Sequence, residues 1–287
     1  MKARASDTSV EAERFQIGLL RQAPIWRKLQ QVEGLNQALH DLARGAILRT
    51  DSSITEEEMR RRLAERRLGM ALTASVNGIA VQYTESAGED CVEMTTIEVA
   101  LLVIEQLERL KVPYVVGGSM ASSAYGFFRA TNDADLLADL KERHAAPLAD
   151  ALSSSFYVDA EAIRDAIRHH QSFNVIHLTA MLKVDVFIPR DRAFDRGQLA
   201  RGLNQIVASN PERRAMVASP EDTVLAKLEW YRLGGEVSDR QWGDIVGVLK
   251  VQHSAVDLAY LRQWARVLGV ADLLERALEE ADLSDMA

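Results

Sequence analysis

Val112-Pro113-Tyr114-Val115-Val116-Gly117-Gly118-Ser119 is followed fourteen residues after Ser119 by Asp133-Ala134-Asp135-Leu136-Leu137, and later by Leu182-Lys183-Val184-Asp185-Val186-Phe187-Ile188. These three stretches decide how the chain folds. An apolar run, a glycine turn and a helix-compatible stretch from Met120 to Tyr125 read as strand, turn and helix. Such a turn at a helix N-terminus aims backbone N–H groups at phosphate oxygens, so Gly117, Gly118 and Ser119 form a candidate phosphate cradle. Residues i and i+2 of a strand point to one face, which sets the carboxylates of Asp133 and Asp135 side by side. Asp185, alone in an apolar run, offers a third from a neighbouring strand. An uncompensated charge there costs several kcal/mol, so the three acids call for cations. Mg²⁺, which prefers hard oxygen ligands and substrate phosphates, suits them.

Working outward, the pattern predicts strands at 113–117, 134–140, 173–178 and 182–188 and helices at 119–126, 143–152 and 160–169, an α/β (α+β) core with a mixed sheet. A helix from Thr96 to Leu110 leads into it. On the N-terminal side, Trp26, Leu29, Val32, Leu35, Leu39 and Leu42 recur at steps of three and four and draw one apolar stripe on a helix. Thr55-Glu56-Glu57-Glu58 reads as a capping box, with Glu56 to Arg60, Glu57 to Arg61 and Glu58 to Arg62 as i to i+4 pairs, so the Arg60-Arg61-Arg62 run is expected on a solvated helix face. Residues 73–93 lack periodicity and read as a linker, with a short strand at Ile79 to Tyr83. On the C-terminal side, Ser219 with Pro220, Ser238 with Gln241, Asp257 and Gly269 bound successive helices. The expected division is a helical region 1–75, a linker 76–94, the α/β core 95–210 and a helical domain 211–287.

Composition excludes other classes. With no apolar run of membrane-spanning length and no signal-peptide core, a cytoplasmic protein with no membrane partner is expected. The single cysteine, Cys91, rules out an internal disulfide framework and a cysteine zinc site. The net charge of −8 is uneven: residues 1–75 hold 13 Lys/Arg against 10 Asp/Glu, or +3, leaving 21 against 32, or −11, for the remainder. An acidic body argues against broad nucleic-acid binding through many phosphate contacts. His169, His170 and His177 lack metal-ligand spacing, and Trp230, Tyr231 and Trp242 read as core.

Gly117-Gly118-Ser119, Arg129-Ala130-Thr131-Asn132-Asp133-Ala134-Asp135-Leu136 and Val184-Asp185-Val186 resemble the motifs of minimal nucleotidyltransferases of the DNA polymerase β superfamily, in particular the branch with AbiEii and MenT-type toxins of bacterial toxin–antitoxin systems. The resemblance spans roughly residues 95–285. It implies a nucleotidyltransferase core, an NTP donor, Mg²⁺, and transfer of a nucleoside monophosphate to an acceptor, the 3′ end of a tRNA or a protein hydroxyl, with release of pyrophosphate. In it Ser119 touches the triphosphate, Asp133 and Asp135 hold the metals, and Asp185 helps activate the acceptor hydroxyl. Ala218 through Lys227 resembles the branch's lysine motif and Trp242-Gly243-Asp244-Ile245 its aspartate motif, which puts Lys227 on a donor phosphate with Asp244 orienting it. Arg129 is placed on the aspartate pair or on phosphate.

Residues 10–70 carry a second, weaker resemblance, in Glu13-Arg14-Phe15, Trp26-Arg27-Lys28-Leu29 and Glu57 through Ala64, to small helical antitoxin candidates encoded beside such enzymes. The chain would then fuse partner and enzyme, and the opposite charges of the two parts suit docking. The alternatives are a protein-nucleotidylylating antitoxin and a non-catalytic nucleotide-binding regulatory module. Intact Gly-Gly-Ser and three aspartates argue against the latter.

Overall fold

The computed structural model describes residues 8–70, 72–73, 76 and 94–283, so the strand expected at 79–83 and Cys91 lie outside the described residues. The helices and strands fall into two compact units, each assembled from separated pieces of sequence: residues 32–114 with 130–191, and residues 1–31 with 115–129 and 192–287.

The unit of residues 32–114 and 130–191 is a mixed sheet under helices. Its strands are β2 (Asp133–Ala138), β3 (Phe156–Tyr157), β4 (Ser172–His177) and β5 (Lys183–Phe187), in the order β3-β4-β5-β2. β2 runs parallel to β5, while β4 is antiparallel to β5 and to β3. Burial alternates along β2 and β5 as the period of two requires: Ala134, Leu136, Ala138, Val184 and Val186 are buried, and Asp133, Asp135, Lys183 and Asp185 stand on the half-open face. The covering helix spans Thr96–Arg109, and its Val99, Ala100, Val103, Ile104 and Leu107 are buried. Its N-terminus is closed by a Thr95/Glu98 capping box. Helices Glu142–Leu152 and Ala160–His169 complete this side.

Most of the long helix Ile25–Thr50 and the helix Glu56–Leu68 belong to the same unit. The expected apolar stripe is buried only at its start. Leu29 and Val32 are buried, whereas Leu35, Leu39 and Leu42 are 40%, 55% and 67% exposed; past Val32 the helix is held by polar groups at Glu33 and Asn36 and then by Ile47, which packs with Met59 and Leu63. Glu33 accepts hydrogen bonds from the N–H groups of Thr96 and Ile97 at 3.2 and 3.1 Å, supplying a second cap to the covering helix. Thr55 caps Glu56–Leu68 through the Glu58 N–H, and of the expected charge pairs Glu58 to Arg62 forms while Glu56 turns to another partner. Glu56 pairs with Arg44, and Glu58 serves both Arg61 and Arg62. The arginine run is a solvated helix face laced by carboxylates. Thr73 and Val76, read as the start of a linker, are helical and buried, and Val76 packs with Ile176 and Leu178.

The other unit holds strands in the order β1-β7-β6, with β1 (Tyr114–Val116) parallel to β7 (Glu212–Val217) and β7 antiparallel to β6 (Leu203–Ser209). The β6–β7 hairpin, β3 and the helix Ala193–Arg201 are additions to the sequence reading. The helices Gly118–Tyr125, Pro220–Leu233, Asp239–Gln252, Leu258–Val267 and Ala271–Glu280 fill the rest, with Ser219, Ser238 and Asp257 capping as expected. Tyr231 and Trp242 stack in this core at 5.2 Å, while Trp230 is half exposed. The N-terminal helix Val10–Gln22 packs on Asp239–Gln252 through Ile17, Leu20, Phe127 and Val251.

Candidate functional site

Two groups of side chains answer to the residues singled out from sequence, one in each unit.

In the unit of residues 1–31, 115–129 and 192–287, β1 ends at Val116 and Gly117 stands at the N-cap of helix Gly118–Tyr125 with no side-chain cap bond. Gly118 sits at φ +54, a conformation that disfavours a side chain, so the glycine is what lets the strand turn into the helix. At the far end of this helix the backbones come close. A Cβ on Gly126 would lie 2.8 Å from the Val248 N and 2.9 Å from the Gly247 carbonyl carbon. This tight crossing seats Asp239–Gln252 against the 117–129 segment and brings Asp244 to Arg129. The guanidinium grips the carboxylate with two bonds, Nε to Oδ1 at 2.9 Å and Nη2 to Oδ2 at 3.0 Å, and Nη2 also donates to Ser119 Oγ at 2.6 Å. Lys227, on the Ser219-capped helix, donates from Nζ to Asp244 Oδ2 at 2.8 Å. Burial raises the Asp244 pKa, but Arg129 and Lys227 outweigh it and hold the carboxyl below its ordinary range. Among these three charged residues two cations share one anion. The surplus positive charge, beside a helix N-terminus whose N-cap makes no side-chain bond, suits an anion such as phosphate.

In the other unit the in-register pairing of β2 and β5 sets Asp135 beside Asp185 and Asp133 beside Lys183. All four point to one face. Lys183 Nζ lies 2.6 Å from Asp185 Oδ2, and Thr131 Oγ1 donates to Asp133 Oδ1 at 2.7 Å. Burial, reinforced by the charge of Asp133, raises the Asp185 pKa against the opposing Lys183. Asp185 Oδ1 is buried without a hydrogen-bond partner. An orphaned carboxylate oxygen beside a second carboxylate fits a hard divalent cation better than it fits the protein alone. As the side chains stand, no three acidic, histidine or cysteine residues among those described are gathered closely enough to hold a metal ion, and Lys183 is the cation on Asp185.

Three contributors escaped the sequence reading. Lys183 and Thr131 gain their roles only through their contacts with Asp185 and Asp133. Asn36, 95 residues before Thr131, accepts from its N–H at 2.9 Å and donates to its carbonyl at 2.8 Å, fixing the backbone two residues ahead of Asp133. Asn36→Ala should cost roughly 1–3 kcal/mol, the loss of a doubly bonded, part-buried amide. It should also speed hydrogen exchange at the Thr131 amide. Unchanged exchange there would remove Asn36 as the anchor of the aspartate strand.

The histidines hold structure. His170 closes the helix Ala160–His169 at φ +51 with Nδ1 2.6 Å from the Pro189 carbonyl. His177 packs edge-on against Phe156, with Nδ1 receiving the Ala180 N–H.

No protein family matches the sequence. No curated protein does either. Among solved structures, the antibiotic-resistance factor ANT(2'')-Ia is matched over 65% of this chain and 95% of its own, at 13% identity and a TM-score of 0.38. An antigenic nucleotidyltransferase-like protein from Paracoccidioides brasiliensis is matched over 64% and 92%, at 15% identity and a TM-score of 0.37. Both likenesses are distant. No helix among the described residues is long and apolar enough to cross a membrane.

Proposed function

We propose that this chain is a cytoplasmic, Mg²⁺-dependent nucleotidyltransferase that moves a nucleoside monophosphate from an NTP to an acceptor hydroxyl, that of an RNA such as the 3′ end of a tRNA, within a toxin–antitoxin system. The observation that carries the reading is the row of Asp133, Asp135 and Asp185 on one face of β2 and β5, with a buried oxygen of Asp185 lacking a partner. Asp133, Asp135 and Asp185 would hold the metal, which when bound supplies charge neutralisation at the reacting phosphate. Ser119, Arg129 and Lys227 bind the donor's phosphates, and Asp244 fixes the two cations in place. The acceptor oxygen forms its bond to the α-phosphorus as the α,β-bridging P–O bond breaks. Pyrophosphate departs with that electron pair, and the hydroxyl proton passes to Asp185. Residues 1–75 would be the resident antitoxin-like partner.

Incubation with each α-labelled NTP, Mg²⁺, total tRNA and cell protein tests the whole reading, since the label reports donor and acceptor together. Label in RNA is the expected result, and no label anywhere overturns it. The charge of −11 outside residues 1–75 favours a second acceptor, a protein hydroxyl, which would appear as labelled polypeptide.

Ser119→Ala and Lys227→Met should each weaken NTP binding by about 1–3 kcal/mol, the value of one charge-assisted contact. Nucleotide titration reads this directly. Unchanged affinity in both variants would remove them from the donor site.

A further inference from the structure

We infer that Lys183 is a built-in counter-cation of the aspartate row, one that a divalent metal must displace from Asp185. The inference rests on the reading of Asp133, Asp135 and Asp185 as the cation site and names how that site is controlled.

Lys183 is the neighbour of three carboxylates at once. It stands two residues before Asp185 on the same strand face, and its Nζ lies 2.6 Å from Oδ2. It is also the register partner of Asp133, whose i+2 neighbour Asp135 is the register partner of Asp185. The four side chains thus form a two-by-two block on the half-open face of β2 and β5, three negative and one positive. Three carboxylates in such a block repel one another, and the ammonium offsets part of that repulsion. A row selected only to hold a metal has no need of a lysine within it, since the same charge opposes an incoming cation.

The consequence is a competition. With Lys183 on Asp185 Oδ2, the carboxylate offers a cation only its other oxygen, the buried and unpartnered Oδ1. Full engagement of Asp185 requires the ammonium to leave, and a flexible four-carbon stem permits that. The lysine therefore keeps the metal-free row folded and lowers its affinity for the metal alone.

The test measures binding of Mn²⁺, by calorimetry or by the loss of its free-ion magnetic resonance signal, to the full chain carrying Lys183→Met, Lys183→Arg or Asp135→Asn. Lys183→Met should bind Mn²⁺ about tenfold more tightly than the natural protein, the effect of removing one adjacent positive charge. It should also melt lower without metal and gain more from its addition. Lys183→Arg, which keeps the charge, should behave as the natural protein. If Lys183→Met does not fold without metal, Lys183→Gln is measured in the same way. Equal Mn²⁺ affinity in the neutral variant and the natural protein, with Asp135→Asn binding weakly, overturns the counter-cation and leaves the metal site standing. Equal affinity in all of them, Asp135→Asn included, overturns the metal site and with it the inference.

Discussion

Asp133→Ala and Asp135→Ala proteins should transfer no detectable label from an α-labelled NTP and yet melt no lower than the natural chain when divalent cations are removed. The two halves of this expectation come from one geometry. The three carboxylates line one face of two parallel strands, and the charge of Asp133 already works against ionisation of Asp185. Deleting one member leaves fewer like charges to share Lys183, so the metal-free fold is relieved of repulsion. Thr131 loses its acceptor in Asp133→Ala, at a cost of about 1 kcal/mol, so Asp135→Ala is the cleaner probe of that relief. Transfer responds in the opposite sense. A lost carboxylate removes several kcal/mol of charge organisation at the reacting phosphate, which is on the order of a thousandfold in rate or more. A purely structural role for these acids would lower the melting point, and full transfer by the double variant would sink the site.

The parts of this arrangement that were legible in the sequence share a local origin. The strands β1, β2, β4 and β5 show apolar runs bounded by turns, and the helices Pro220–Leu233, Asp239–Gln252 and Leu258–Val267 open on Ser or Asp at the N-cap. Asp133 and Asp135 were placed on one face by the strand period alone. The missed elements lack such signals. β6 and β7 open on runs of exposed residues, so no apolar alternation marks them, and β3 is two residues long. The missed contributors are long-range. Nothing near Asn36 announces that it will bind the backbone of Thr131, and Lys183 acquires its meaning only when β2 and β5 pair in register. The stripe from Trp26 to Leu42 misled because period reports what a helix can bury. Past Val32 polar anchors at Glu33 and Asn36 hold the helix, and Leu39 and Leu42 stand in solvent.

Breaking the ion pair between Glu13 and Lys250 should have the largest effect on stability of any single change at the N-terminus. Glu13 is 1% exposed and Lys250 5%, with Oε1 and Nζ 2.9 Å apart, on helices separated by more than 200 residues of sequence. Arg21 adds a second anchorage, donating from Nε and Nη2 to the carbonyls of Val251 and Lys250 at 2.9 and 2.8 Å, where the last turn of Asp239–Gln252 has no intrahelical donors. Removing one partner of a buried pair takes the nearest opposite charge from the other in a poorly solvated place. Glu13→Ala should therefore cost about 3–5 kcal/mol and lower the melting temperature by roughly 10 °C. The double variant Glu13→Leu with Lys250→Met should recover most of that loss, because apolar replacement of both members removes the desolvation cost together with the attraction. The same pair bears on the proposed role of residues 1–75. It holds the first helix to the helix that carries Asp244, so release of that helix reaches the Arg129 and Lys227 side of the donor site first. If the segment restrains the enzyme, Glu13→Ala should raise the transfer rate per folded molecule at a temperature well below its melting point, and protease should cut within residues 10–22 before it cuts elsewhere. Early cutting with an unchanged rate would make the helix a stabilising prop, and the resident-partner reading would fall.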